Sequence, residues 1–305
     1  MNQAVAEFAN LHPELRGVNP ESYWLPFTPN RHFKASPHAR TMVSAAGPYY
    51  TNAIGNRLFD CLSGMWCSPL GHAHPKIVEA VTRQVSTLDY SPAFQCAAPS
   101  TLRLAERIAS MAPAGMDHVF FTSSGSEAVD TALKIAHAYH RCKGEATRFR
   151  MIGRERGYHG VGFGGISVGG IPANRKAFAS LMLHGVDHLP HTHNLAEMAF
   201  SKGQPSWGGH LAQDLERMVT LHDASSIAAV IVEPVQGSTG LLVPPVGYLK
   251  ALREICTKYG ILLIFDEVIT GFGRLGTPFA AQRFEVMPDM ITFAKAVTNG
   301  VIPLG

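Results

Sequence analysis

With 305 residues, 46% of them hydrophobic and only 16% charged, the chain carries enough apolar side chain for a large core, which excludes disorder as its main character. Its 26 Lys and Arg against 23 Asp and Glu leave a formal net charge of +3, too small for the electrostatic footprint of a nucleic-acid binder, so small-molecule chemistry is expected. The 5 cysteines lack paired spacing, MNQAVAEFANLHPEL has no basic stretch before an apolar run, and no segment approaches the roughly 18 apolar residues of a membrane span; a soluble, cytoplasmic protein is expected.

Along the chain, residues 1–69 are broken by Pro13, Pro20, Pro26, Pro29, Pro37, Pro48 and Pro69, with strand-like pieces at 41–44 and 57–61, and read as a segment of a separate, smaller domain. Residues 70–305 read as a large domain. PKIVEAVTRQVSTL sets Ile77, Val78, Val81, Val85 and Leu88 at helical spacing behind Pro75, and STLRLAERIASM is a second helix. HVFFT is a short apolar strand, followed by the helix SGSEAVDTALKIAHAYHR with Ser124 and Glu127 in a capping box. A strand near RMIG, the Gly-rich loop GYHGVGFGGISVGG, a strand in IAAVIVEPV, a helix in GYLKALREICTKYG, a strand in ILLIFDEV and a last strand in MITFAK complete the series. Uniformly apolar strands alternating with helices predict an α/β fold, a mostly parallel central sheet flanked by helices, with ligands at the carboxyl ends of the strands.

Two motifs invite other readings. GFGRLG over 271–276 fits G-x-G-x-x-G, but Pro278 follows closely and the acids Asp266 and Glu267 precede the glycines, which argues against a dinucleotide fingerprint. The histidine clusters, His72 with His74 and His188 with His191 and His193, lack the spacing and partner ligands of a zinc site, so no metal is expected.

Three other features converge. The junction VFFTSSGSEAVDTALK leads a strand through Ser124, Gly125 and Ser126 into a helix start, where free N–H groups suit a phosphate, although an ordinary capped helix looks the same. ILLIFDEV ends a buried strand on carboxylates, which need a partner such as a protonated ring nitrogen. MITFAK brings Lys295 to the same sheet edge; alone, such a lysine is an ordinary snorkelling cap. A phosphate cup, an acid for a pyridinium and a lysine for an aldehyde are together the three anchors of pyridoxal phosphate.

The motifs TSSGSEAVDTALKIA, GYHG, VIVEPVQG, FDEVITGFGRLG and ITFAKAVTNGVIPLG resemble those of the class III aminotransferases of the fold-type I pyridoxal-phosphate family. WLPFTPNRHF and LFDCLSGMWCSPLGHAHPKIVEAV are similar to the omega-amino-acid:pyruvate, or beta-alanine:pyruvate, members. The resemblance implies that Lys295 links covalently to the cofactor as the catalytic base and that Asp266 holds the pyridine nitrogen protonated. It further implies that Val268 and Tyr158 cover the two ring faces, that His159 supports Asp266, that Gly125 and Ser126 bind the phosphate, and that Glu233 lies near the cofactor. Val268 could equally be strand core and Tyr158 a loop aromatic. Trp66 and Phe27 are implied in the substrate wall, with a short omega-amino acid or primary amine as donor and pyruvate as acceptor, although either ring could be core.

The same resemblance implies a homodimer or higher homo-oligomer. Family members continue well beyond the point that matches Gly305, adding the remaining strands, most of the small domain, an arginine for the substrate carboxylate and a threonine reaching the phosphate across the dimer. The 305-residue chain is therefore expected to be truncated, and alone to be poorly soluble or inactive. Another aminotransferase, an aminomutase or a decarboxylase would share every motif quoted, and a non-catalytic fragment remains the alternative from another class.

Overall fold

The computed structural model describes residues 12–35 and 37–305; residues 1–11, on which the expectation about a secretory signal rests, lie outside the described residues. The chain divides into two compact units, Met1–Ala93 and Phe94–Gly305. The division falls after Ala93 and not after residue 69, because chain beyond 69 is tied back to the first sheet: the His72 N–H donates to Gly47 O at 2.8 Å, and the Gly47 N–H to His72 O at 3.0 Å.

The first unit is built on an antiparallel sheet, β1 (Met42–Ala46), β2 (Tyr49–Asn52) and β3 (Arg57–Phe59), in that order. The rings of Tyr49 and Phe59 meet edge to face across it, a cross-strand pair of the kind that stabilises such sheets. Two helices flank this sheet in sequence, α1 (Asn30–Ala35) and α2 (Pro75–Thr87), the latter opening on proline as expected.

The second unit holds five parallel strands, β4 (Arg150–Arg154), β5 (Val186–Leu189), β6 (Ile227–Val232), β7 (Leu262–Asp266) and β8 (Met290–Thr292), in the order β5-β4-β6-β7-β8. The pleat divides their side chains between two cores. Val230, Val232, Leu263 and Phe265 join Tyr248, Leu252 and Ile255 of α8 (Tyr248–Tyr259) on one face. Ala229, Ile231 and Ile264 join Val129, Leu133 and Ala136 of α4 (Gly125–Cys142) on the other. Burial on both faces explains why these strands read as continuous apolar runs. Helices α3 (Pro99–Met111), α5 (Phe163–Val168), α6 (Pro172–Lys176), α7 (Asp214–His222) and α9 (Ala280–Phe284) complete the framework. No helix among the described residues is long and apolar enough to cross a membrane.

Several local expectations change. HVFFT forms no strand, because a strand needs a neighbour and only Thr122 finds one, exchanging two hydrogen bonds with Gly305 at 2.7 and 2.9 Å. Strand β5 escaped notice because Asp187 and His188 interrupt its apolar residues, as a strand at the sheet's edge allows. The Gly-rich stretch is not loop throughout: Phe163–Val168 is helical, since its glycines let it lie against α4, where the Gly165 N–H donates to Asp130 Oδ1 at 2.8 Å. GFGRLG forms turns, with no helix at its third glycine.

The packing of α5 on β4 leaves no room at Gly153, where an added Cβ would stand 1.9 Å from the Val168 carbonyl oxygen. Gly153→Ala is expected to lower stability by about 1–3 kcal/mol through overpacking, seen as a lower urea midpoint at unchanged slope. An unchanged midpoint would mean that α5 is free to move away from the sheet.

Candidate active site

Strand order brings the carboxyl ends of β4, β6, β7 and β8 to one edge, and there a cavity of about 110 Å³ is lined by Ser126, Tyr158, His159, Asp266, Val268 and Lys295, with Gly125, Gly160 and Glu233 at the same wall. Eight of the residues singled out in the sequence thus line a single pocket, among them the acid and the lysine on which the expected chemistry depends. Lys295 is not itself in a strand; β8 ends at Thr292, and Lys295 opens the following 3-10 turn with φ of 53°.

Asp266 is the last residue of β7 and is buried. Its Oδ2 accepts from His159 Nδ1 at 2.7 Å, and its Oδ1 from the Val268 N–H at 3.1 Å. A carboxylate can only accept, so the proton of the neutral imidazole sits on Nδ1 and leaves Nε2 bare, consistent with a buried Nε2 that has no partner. His159 therefore fixes the rotamer of Asp266 without occupying both of its oxygens. Burial first, and then the nearby Asp266, push the Tyr158 phenol above its ordinary value, so the ring stays neutral.

The phosphate end is formed by α4. The Ser124 hydroxyl caps it, accepting the Glu127 N–H at 3.2 Å, while Glu127 Oε2 accepts from Ser123 N–H at 2.8 Å rather than from the cap residue of an ideal box. The N–H groups of Gly125 and Ser126 have no partner within the helix. Ser126 Oγ accepts from the Val161 N–H at 3.0 Å, which leaves its own O–H to donate. Space here is reserved by glycines: a Cβ on Gly125 would approach Val268 to 2.9 Å, and one on Gly160, whose φ is +99°, would meet Ser126 Oγ at 2.5 Å. Gly160 and the Val161 N–H escaped the sequence reading; the only signal was a glycine inside GYHG.

Glu233 follows β6 and has a defined task. Its Oε1 accepts the Tyr158 N–H and its Oε2 the Gly237 N–H, both at 2.9 Å, so one buried carboxyl clasps two loops. Arg154 Nη2 adds a 2.7 Å hydrogen bond to the Glu233 carbonyl. Burial, followed by the charge of Asp266, raises the Glu233 carboxyl above its usual range. Glu267 faces away from the cavity and accepts the N–H groups of Ala280 and Ala281 and the Thr270 hydroxyl, capping α9.

Trp66 and Phe27 belong to the first unit. Phe27 is 79% exposed, with φ of 49°. Trp66 ends a helical turn, Ser63–Trp66, whose four φ angles of 48, 57, 58 and 65° are all left-handed. Such backbone costs about 1–2 kcal/mol per non-glycine residue. Asp60 ties it down by accepting the Leu62 and Gly64 N–H groups at 3.2 and 2.7 Å, and His72 Nε2 lies 2.7 Å from the same carboxyl.

A lysine amine, a buried carboxylate held by one imidazole, and a helix start with a free hydroxyl and glycine-made space fit a phosphorylated pyridine aldehyde in both charge and shape. Sheet and pocket together define the fold-type I class of pyridoxal-phosphate enzymes. The chain belongs to the class III aminotransferases: the family model described as aminotransferase class-III matches residues 33–305. An omega-aminotransferase of Caulobacter vibrioides is 59% identical over 293 residues, covering 96% of this chain and 66% of that protein. A beta-alanine--pyruvate aminotransferase of Pseudomonas aeruginosa is 53% identical over 289 residues, covering 94% and 63%. Among solved structures, the omega transaminase of Pseudomonas jessenii in complex with PMP superposes with a TM-score of 0.87 at 32% identity, covering 94% of this chain and 64% of that one. The chain thus spans about two thirds of the length of the curated relatives it matches.

Burial pushes the Glu267 carboxyl from an ordinary 4.5 up to about 7, outweighing its three donors. A carboxyl raised in the folded state favours folding fully below its unfolded value, and that contribution is lost as pH rises through the folded value. Glu267→Gln is expected to flatten the fall in melting temperature between about pH 4.5 and 7. An unchanged slope in that window would assign the titration to another group.

Proposed function

We propose that this chain carries the cofactor-binding and proton-transfer machinery of a pyridoxal-phosphate transaminase that moves nitrogen from an omega-amino acid or short primary amine to pyruvate, giving alanine. The convergence of Lys295, Asp266 and Ser126 on one cavity carries the reading, and the names of the relatives from Caulobacter vibrioides and Pseudomonas aeruginosa supply the substrate class. The cofactor, when bound, supplies an electron sink for the carbon that loses its proton. Asp266 sets a fixed negative charge where a ring nitrogen is to stay protonated, and His159 keeps that charge aimed. Lys295 Nζ is the group that links the cofactor and takes up and returns the migrating proton. The neutral ring of Tyr158 and the branched side chain of Val268 bound the cavity on its walls, where they would exclude water. Ser126 and the first turn of α4 hold the phosphate. The exposed ring of Phe27 and the Trp66 turn are the proposed substrate wall. A homodimer in the cytoplasm belongs to the same reading; the five cysteines are all free thiols, in keeping with a reducing compartment.

The reading is tested by reducing the cofactor-loaded protein with borohydride and mapping the labelled peptide, alongside an assay for alanine formed from pyruvate with beta-alanine as donor. Label on Lys295 and beta-alanine-dependent alanine are expected; label on Lys134 or Lys250, or a strict requirement for 2-oxoglutarate, would sink it.

Asp266→Asn keeps the shape of the pocket but removes its charge. The variant is expected to bind the cofactor and to lose about 10²–10³-fold in kcat, the scale of one pre-set electrostatic partner. Turnover within a few-fold of the parent would make Asp266 merely structural.

A further inference from the structure

The carboxyl edge of the sheet holds a second cleft, at the ends of β4 and β5, that the cofactor chemistry does not use. It is an open cleft of about 590 Å³ lined by Glu155, Arg156, Arg175, Lys176, His188 and His191. Three of these side chains are cations and one is an acid. The side chains of Arg156 and Lys176 make no ion pair among the described residues. Arg175 is anchored by backbone carbonyls: its Nη1 donates to the Ser167 and Gly169 oxygens, the latter at 2.8 Å, so the guanidinium is fixed in place with its charge uncompensated. The lone acid, Glu155, accepts the His191 N–H at 3.3 Å.

His191 adds a further donor to this wall. His191 Nδ1 accepts the His193 N–H at 3.3 Å, so the neutral ring carries its proton on Nε2 and can donate from there. His188 Nε2 lies 2.9 Å from the Gly169 oxygen and 3.2 Å from Arg175 Nη1. His188 is faced by Arg175, His159 and Asp187, and His191 by Arg156, Glu155 and His193. Burial first, and then the neighbouring arginine, hold both rings below the ordinary histidine value. Both rings are thus neutral in the free protein, mainly because they are buried.

We propose that this cleft binds a phosphate group carried on a small organic molecule. The cations come from two elements, Arg156 from the loop after β4 and Arg175 with Lys176 from helix α6, and His191 adds a neutral donor from the end of β5. That arrangement suits a tetrahedral dianion, which accepts from several sides, better than a flat carboxylate with a single charge. The cleft lies within the roughly 300–1,000 Å³ usual for small-molecule pockets and is larger than a bare oxyanion needs, so the phosphate comes with an organic body. It sits outside strand carboxyl ends, where α/β sheets take ligands. A bound dianion beside His188 and His191 favours their protonated forms, so binding takes up protons. The proposal is independent of the transaminase reading, since none of the six residues lines the Lys295 cavity.

The test is isothermal titration of the protein near neutral pH with glucose 6-phosphate, inorganic phosphate and glucose, repeated in two buffers of different ionisation enthalpy to count protons. Glucose 6-phosphate is expected to bind with net proton uptake and to weaken as salt rises, inorganic phosphate to bind at least about tenfold more weakly, a difference of ~1.4 kcal/mol, and glucose not at all. The double substitution Arg156→Gln with Lys176→Gln should cost at least a further factor of ten, and Lys176→Glu, at an exposed position, more than Lys176→Gln; circular dichroism confirms that each variant is folded. Binding unchanged in the folded double variant would place the phosphate elsewhere and overturn the proposal. Equal binding of glucose, or no heat with either phosphate, would overturn it as well, and inorganic phosphate binding as tightly as the ester would refute the organic body.

Discussion

Three carboxyl groups buried at adjacent strand ends govern the rest of this structure. Taking a carboxylate out of water is costly unless hydrogen bonds replace the solvent, and each of the three meets that demand differently. Glu233 takes the N–H groups of Tyr158 and Gly237; Glu267 takes those of Ala280 and Ala281 with the Thr270 hydroxyl. Asp266 receives one imidazole and one N–H, and it lines the cavity. Two of the acids are thereby committed to holding loops and a helix in place, and the third keeps capacity for a cationic ligand.

The loops at the sheet edge are positioned by these same groups. Residues 154–161 leave β4 with Arg154 bonded to the Glu233 carbonyl, place Tyr158 under the Glu233 carboxyl, send His159 to Asp266 and end with the Val161 N–H on Ser126. One short stretch therefore touches the ends of β6 and β7 and the start of α4. Rigidity of this kind suits a site whose groups must hold a few tenths of an ångström in register. In the first unit the strain lies in backbone, where the left-handed turn before Cys67 depends on Asp60 for its hydrogen bonds.

Much of this was legible in the chain. The alternation of apolar strands with helices fixed the parallel sheet, because a strand buried on both faces has no polar positions to spare. The glycine and serine that open α4, the acid in ILLIFDEV and the lysine that ends MITFAK could be placed at one edge from order alone, since parallel strands all deliver their carboxyl ends to the same side. Local periodicity is written in neighbouring residues, and it needs no knowledge of what lies across the sheet.

What required the tertiary structure was everything that depends on a partner far away in sequence. Asp266 and Glu267 are adjacent acids with equal claims in the sequence; the pleat sends Asp266 to the face of Ile264 and α4, and Glu267 to the face of Phe265 and Ala281. His159 reaches Asp266 across 107 positions, and Glu233 reaches Tyr158 across 75, because β4, β6 and β7 lie side by side. HVFFT has the composition of a strand, yet strand formation belongs to a pair, and among the described residues only Thr122 has a backbone partner. The sequence by itself determined which segments are apolar enough to be buried and which reactive groups they end on. The order in which those segments pack decided which of the groups face each other, since a hydrogen bond is set by distance in space and not by distance along the chain.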